Sequence, residues 1–218
     1  MDFDFFLLIC NYIGTIAFAI SGVIKGFKKR LDIFGISLLA IITAVGGGII
    51  RDTMLTKIPT ALIDPSSIYL SIGIALVMYL FVSKRQDKPQ DKQLYRYLSK
   101  INLTFDAIGL VIFALLGASA GIEAHLNSMA TGILASLTGV GGGIIRDLLV
   151  NETPSVLKED VYALLAFFAG LSYHMLVIQL HLTPIPSFIG CFAFFLILRL
   201  LVIKYKINLP NMDRTNKT

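Results

Sequence analysis

The residues of this chain whose types and spacing could do chemistry come in two copies. Gly46-Gly47-Gly48-Ile49-Ile50-Arg51-Asp52 recurs, residue for residue, 95 positions later as Gly141-Gly142-Gly143-Ile144-Ile145-Arg146-Asp147. Thr43 and Thr138 stand one turn before the glycines, and Pro59 and Pro154 follow. Three glycines in a row cost a helix about 1 kcal/mol each relative to alanine. Inside an apolar segment the run predicts a break. A break strands carbonyls and amides, which hydrocarbon tolerates only where protein or water satisfies them. Each break is therefore expected to line a hydrated path. The carbonyls of 35–45, and of 130–140 in the second copy, carry the partial negative charge of a helix C-terminus and suit a cation. The Thr43 and Thr138 hydroxyls can add oxygens. This chemistry fits a transient monovalent cation near the breaks rather than a fixed metal. The competing reading is close packing, since glycines also let two helix backbones approach. For Gly22/Gly26 and Gly117/Gly121, which have GxxxG spacing, packing is the expectation.

Arg51-Asp52 and Arg146-Asp147 follow the glycines. Ionisable groups at membrane depth are functional by default, and the alternative is an interfacial anchor that snorkels to water. Adjacent helical residues do not face each other, so each arginine is expected to find another partner. Asn11 and Asp106 are equivalent under the same shift and are expected to cap helix starts. His174, equivalent to Tyr79, is expected to be a hydrogen-bonded core group, and Arg199 to snorkel. Cys10 and Cys191 read as small apolar side chains, because a disulfide framework or zinc site needs more ligands at ligand spacing. The glycine runs lack the Lys-Ser/Thr of a phosphate-binding loop, which excludes that nucleotide motif.

The elements that position these residues are membrane helices. Of 218 residues, 56% are hydrophobic and 15% charged, and the mean hydropathy is +0.77. Apolar runs reach the roughly 20 residues that a membrane span needs near 5–25, 33–57, 66–83, 104–122, 127–150, 160–179 and 185–204. The N-terminus lacks the positive region of a cleaved signal peptide. The net charge of +5 concentrates in Lys25, Lys28, Lys29 and Arg30, in the segment 84–103, and in the C-terminal tail. That clustering reads as topology rather than nucleic-acid binding. It predicts N-terminus outside and C-terminus in the cytoplasm.

The repeat is longer than the motif. Between 13–59 and 108–154, 19 of 47 positions are identical without a gap, a register that chance apolar similarity would not hold. Each copy carries three helices. Three is odd, so the second copy enters the membrane from the opposite side and the halves form an inverted pair. The expected organisation is a first three-helix repeat in 1–83, a cytoplasmic linker in 84–103, a second repeat in 104–180, a seventh helix in 181–206 and a cytoplasmic tail in 207–218. The fold class is thus all-α integral membrane, in a bacterial or archaeal cytoplasmic (inner) membrane.

Doubled Gly-Gly-Gly-Ile-Ile-Arg-Asp motifs, one in each inverted three-helix repeat with a seventh helix, resemble the prokaryotic trimeric intracellular cation (TRIC) channels, a family also labelled by a glycine-transporter domain. The resemblance implies a homotrimer among membrane lipids, a pore within each protomer, bends at 46–48 and 141–143, and permeation by monovalent cations, chiefly potassium. It implies no cofactor. A secondary transporter of glycine or another small solute uses the same inverted-repeat logic and stays open as the alternative. An intramembrane enzyme is the third class. No converging His pair, Ser/Lys dyad or Asp pair supports it.

Overall fold

The computed structural model describes residues 2–83, 92–158 and 161–205, and those residues are helical with no strand among them. In order the helices are α1 (Phe3–Lys28), α2 (Ile33–Met54), the single turn α3 (Thr60–Ile63), α4 (Ser66–Ser83), α5 (Lys92–Glu123), α6 (Ser128–Leu149), the single turn α7 (Ser155–Lys158), α8 (Val161–His174) and α9 (Pro184–Tyr205). A π-helical turn, Met175–Gln179, extends α8. Six of these are long and apolar enough to cross a membrane. The described apolar stretch of α4, Ser66–Phe81, is shorter. The expected linker 84–103 is partly helical, since α5 begins at Lys92. Leu98 and Asn102, on that early stretch of α5, are buried, and packing there extends the helix beyond its apolar run. Residues 84–91 and the tail beyond 205 lie outside the described residues.

Local chemistry repeats with the sequence. Asp32 Oδ1 accepts from the Gly35 amide at 2.7 Å, and its equivalent Asn127 accepts from Ala130 at 2.9 Å. Each cap satisfies an amide that the first turn leaves orphaned. Helices α2 and α6 stop at left-handed residues rather than at the prolines. Thr56 and Asn151 have φ of 55° and 54°, and the next amides, Lys57 and Glu152, reach back 2.9 Å to the Asp52 and Asp147 carbonyls. That is the 6→1 bond of a Schellman termination. Arg30 and His125, both at φ 56°, end α1 and α5 in the same way.

The expected breaks at 46–48 and 141–143 are not there. Helices α2 and α6 run through both glycine runs without interruption, and no described glycine has a positive φ. The glycines are instead where the two helices cross. A methyl group on Gly47 would land on the Thr138 carbonyl oxygen, and one on Gly142 would land on the Thr43 carbonyl oxygen. Gly46 lies against Ile145 and Gly142, and Gly141 against Ile50 and Gly47. The backbones touch because no Cβ intervenes, so close packing is what these glycines do here. Gly22 and Gly117 pack in the same manner on Thr43 and Thr138, as their spacing predicts.

These contacts are reciprocal: where residue i meets j, the equivalent of i meets the equivalent of j. Phe18 and Phe113 are equivalents of each other and stack at 5.1 Å. Reciprocity of this kind is what a two-fold relation produces. The first half (α1, α2, α4) joins the second (α5, α6, α8) through α1 on α5 and α2 on α6, while α9 packs on α5 and α8.

Replacing Gly47 or Gly142 by alanine is expected to lower the thermal stability of the purified protein by about 1–3 kcal/mol, the usual range for overpacking. Gly73→Ala is the control, because a Cβ there meets nothing within 4 Å. Equal melting temperatures for Gly47→Ala, Gly142→Ala and Gly73→Ala would contradict the crossing.

Candidate functional site

Two equivalent half-sites flank the glycine crossing, one beside Gly48 and one beside Gly143. Each begins with the last glycine of its run and the Arg-Asp pair that follows. One turn of helix brings the arginine back beside the glycine, and the aspartate faces the chain that leaves the helix. Asp52 Oδ2 accepts from the Thr60 amide at 2.7 Å and its hydroxyl at 2.9 Å. Asp147 Oδ2 accepts from the Ser155 amide at 3.0 Å and its hydroxyl at 3.2 Å. The carboxylates thus start the short helices α3 and α7.

Both arginines pair with their sequence neighbours, which was not expected of adjacent helical residues, while Arg146 also finds the further partner that was expected. Arg51 Nε and Nη2 both lie 2.7 Å from Asp52 Oδ1, and Arg146 Nε donates to Asp147 Oδ1 at 3.0 Å. Adjacent Cα–Cβ directions diverge, but the arginine side chain is long enough to curl back across the helix.

From here the half-sites differ. Arg146 is 1% exposed, so it is no interfacial anchor. Its Nη1 donates to Asp106 Oδ1 at 2.7 Å and to Ser21 Oγ at 2.6 Å. Tyr162 donates to Asp106 Oδ2 at 2.7 Å, and Ser21 donates to Asn102 at 3.0 Å. The Arg199 guanidinium lies 4.5 Å over the Tyr162 ring. Arg199 is therefore buried within the protein and does not snorkel. Lys25 reaches Asp147 at 3.2 Å and Glu152 at 2.6 Å, and Lys29 reaches Glu152 at 2.8 Å. Burial pushes the Glu152 carboxyl up, but the hydrogen bonds and charges of Lys25 and Lys29 outweigh it and hold the pKa below the ordinary value. A lowered folded pKa contributes stability above the unfolded pKa and loses it as pH falls through the folded one. This cluster therefore holds at neutral pH.

In the first half the equivalent of Asp106 is Asn11 and that of Tyr162 is Ser67. They bond to each other at 3.2 Å and leave the arginine alone. Tyr12 donates to Ser66 at 3.1 Å beside them. The result is a cavity of about 80 Å³, walled by Asn11, Thr15, Gly48, Arg51, Asp52, Ser67 and their neighbours, with Asp64 also on its lining. A single water needs about 10–15 Å³ measured this way, so several fit. Thr15 is 1% exposed and its hydroxyl has no hydrogen-bond partner among the described residues.

The other sequence-derived candidates fall as follows. Thr43 and Thr138 are fully buried at the crossing, and their hydroxyls donate to the Leu39 and Leu134 carbonyls. Gly46, Gly47, Gly141 and Gly142 form the crossing itself. Asn11 and Asp106 are not helix caps, because α1 and α5 begin well before them. His174 is buried, with Nε2 3.2 Å from the Leu126 carbonyl, as expected of a core group. Cys10 and Cys191 are free and buried. Sequence reasoning missed Thr15, Ser21, Ser67 and Tyr162, which carry no motif.

Removing a buried charge partner leaves the others unpaired, at about 3–5 kcal/mol. Arg146→Ala is therefore expected to melt far below the wild type. Arg51→Ala, whose side chain is 16% exposed beside the cavity, strands one carboxylate rather than two, and Asp52 keeps the Thr60 amide and hydroxyl, so a smaller loss is expected. Thermal unfolding of the two purified variants checks the contrast, and equal losses would contradict it.

Comparison with known proteins matches the doubled architecture. A family model described as "Glycine transporter" matches twice, over residues 8–84 and 103–179. The two matches stand in the same 95-residue register as the sequence repeat. The UPF0126 inner membrane protein YadS of Escherichia coli strain K12 is 30% identical over 205 residues, 92% of this chain and 93% of that protein. Among solved structures, a prokaryotic TRIC channel crystallised in 0.5 M KCl has a TM-score of 0.83 at 39% identity, covering 94% of this chain and 99% of that one. The TRIC trimeric intracellular cation channel orthologue from Rhodobacter sphaeroides has a TM-score of 0.81 at 26% identity, covering 92% and 98%. With its run of membrane-length apolar helices, the chain is a multi-pass membrane protein. It belongs to the prokaryotic TRIC channel family, whose repeat unit carries the description "Glycine transporter".

Proposed function

We propose that this chain is a potassium-permeable monovalent cation channel with an ion path inside each protomer, beside the α2–α6 crossing. The observation that carries this reading is the hydrated-size cavity over Gly48, with its unpartnered Thr15 hydroxyl and its polar walls. Its charge suits a cation. Arg51 is neutralised by Asp52 at 2.7 Å, which leaves Asp64 to make the lining net negative. Solved relatives named as cation channels support the same reading. The path runs past Gly48 and Gly143, flanked by Arg51, Asp52, Arg146 and Asp147. Thr43, Thr138, Gly46, Gly47, Gly141 and Gly142 shape it from behind, through the crossing.

The assembly proposed is a homotrimer, as the Rhodobacter sphaeroides relative is described. Its protomers carry seven spans arranged as two inverted repeats and a last helix. Lys25, Lys28, Lys29 and Arg30 then lie in the cytoplasm with the C-terminus, and Glu123 and the N-terminus lie outside. The cavity over Gly48 accordingly faces outward, and the Arg146 cluster inward.

One observation favours a second reading. A half-site open on one side and its equivalent sealed on the other is the geometry of alternating access. It suits a secondary transporter of glycine or a similar small solute, as the description of the matching repeat suggests.

Planar-bilayer recording of the purified protein in KCl, with and without glycine, separates the two. Discrete unit currents that do not require glycine are expected, and glycine-dependent flux without unit steps would favour the transporter. Thr15→Leu places in the cavity the residue found at the equivalent position, Leu110. It is expected to lower unit conductance several-fold with assembly unchanged, and unaltered conductance would remove the cavity from the path. For topology, cysteines introduced at Lys29 and Glu123 are expected to label from the cytoplasm and the outside respectively. Labelling from one side would end the inverted arrangement.

A further inference from the structure

The last helix has no counterpart in the repeat, so the seam it makes with α8 is not matched in the first half. Helix α8 runs on into the π-helical turn Met175–Gln179. The chain then reverses over residues 180–183 before α9 starts at Pro184. His181 is left-handed there, at φ 51°, and the Leu182 amide closes on the Leu176 carbonyl at 3.0 Å. So tight a reversal brings the two helix ends side by side without closing the space between them. A groove of about 430 Å³ remains, walled by Ser172, Leu176 and Leu182 on one side and by Gly190, Cys191 and Phe194 on the other. That is several times the cavity over Gly48 and within the roughly 300–1,000 Å³ of small-molecule sites. Gly190 is unlike the glycines of the crossing. A Cβ built on it meets nothing within 4 Å, so it holds no neighbour close and leaves the groove open.

The chemistry of the walls narrows the occupant. Among the described residues no charged side chain lines the groove. Ser187, also on its lining, donates within its own helix to the Thr183 carbonyl at 2.9 Å. Water does not settle in an apolar space of this kind, and an empty one forfeits the dispersion contacts of its walls. Both walls belong to membrane-length helices, and α9 is the least enclosed of the six, with 28% of its most apolar stretch buried. Hydrocarbon is therefore the occupant at hand. Length then selects its source. The α9 wall runs from Pro186 to Phe195, roughly 13 Å at about 1.5 Å per residue, and ends half-way along the helix. That is close to the depth of one leaflet in a hydrocarbon core of about 30 Å. A helix from a second copy would need a face along the whole span. Ile189, Ile197 and Leu201 also leave α9 apolar on its other exposed faces, with no single face set apart for a protein partner.

We propose that this groove is a binding site for one acyl chain of a membrane phospholipid, held between α8 and α9. In the topology given above the lipid belongs to the outer leaflet, because the groove lies at the end of α8 remote from the cytoplasm. The acyl chain fills the seam that joins the unpaired helix to the second half, and so stabilises the packing of α9. The site is separate from the ion path and does not depend on it.

The chain contains no tryptophan, so a single introduced indole reports alone. Phe194→Trp puts it at the groove, and Ile189→Trp puts it on the far side of α9. Each full-length variant, purified in detergent and stripped of lipid, is titrated with phosphatidylcholine carrying brominated acyl chains, which quench indole on contact. Quenching of Phe194→Trp is expected to saturate near one lipid per chain. Ile189→Trp is expected to need several-fold more lipid for the same loss. Gly190→Leu added to Phe194→Trp fills the groove and is expected to abolish the early phase, with elution volume and melting temperature showing that the protein is still assembled. Parallel quenching of the two indoles overturns the proposal and leaves an ordinary lipid-facing surface. An early phase that persists in folded Gly190→Leu overturns it as well. So does an unquenched Phe194→Trp, and a shifted elution volume in Gly190→Leu then assigns the groove to a second copy of the chain. The contrast between the two indoles decides the matter even if Gly190→Leu does not assemble.

Discussion

The contact on which this molecule depends is backbone against backbone, where α2 and α6 cross. Gly47 lies on the Thr138 carbonyl and Gly142 on the Thr43 carbonyl, with no room for a methyl group at either place. Lipid supplies no hydrophobic drive for helices to associate, so close van der Waals approach must hold them. The helix-propensity cost of six glycines is offset here by proximity that no other residue permits. Because the contact is reciprocal, it also places the next residues of each helix, Gly48 and Gly143, at matched points on either side. Both half-sites are built outward from that crossing.

Identical backbone then yields two different environments through a few side chains. A guanidinium at 1% exposure has lost its water and needs charge and hydrogen bonds from the protein. Arg146 has two carboxylates and a serine hydroxyl. Arg51 sits beside a cavity large enough for water, and one carboxylate suffices. The exchange of Asn11 for Asp106 and of Ser67 for Tyr162 thus tracks hydration: the second carboxylate appears where water is excluded. The loop ends of the helices show the same bookkeeping with the signs reversed, each time across the two halves. Lys57 pairs with Glu123 at 3.1 Å at one end, while Glu152, at the position equivalent to Lys57, pairs with Lys25 and Lys29 at the other.

Much of the architecture was legible beforehand because it is written in local or repeated terms. Span lengths follow from apolar runs, Asp32 and Asn127 sit where caps belong, and an ungapped register of glycines, threonine, Arg-Asp and proline announces two equivalent halves. Gly22, Gly26, Gly117 and Gly121 packed as their spacing suggested. The triple glycines misled because propensity describes an isolated helix, whereas a neighbouring backbone can make the same residues the best helical choice. Asn11 and Asp106 looked like caps because the apolar count began near them, while the helices start earlier on residues that packing orders. Arg199 lies near the end of an apolar run, where snorkelling is the default, but α9 turns it inward onto Tyr162.

The sequence alone determined that the chain is a set of membrane helices in two related halves, because hydropathy and repetition are properties of the chain read in order. Which glycines would touch, which arginine would be dry and where water-sized space would remain were decided only by tertiary structure. Those outcomes depend on residues far apart in the chain: Ser21 and Arg146 are separated by 125 positions, and Asp106 and Tyr162 by 56. Burial is set by what the neighbouring helix brings, and a tyrosine with no motif around it becomes the residue that fills a half-site only when α8 lays it against α5 and α6.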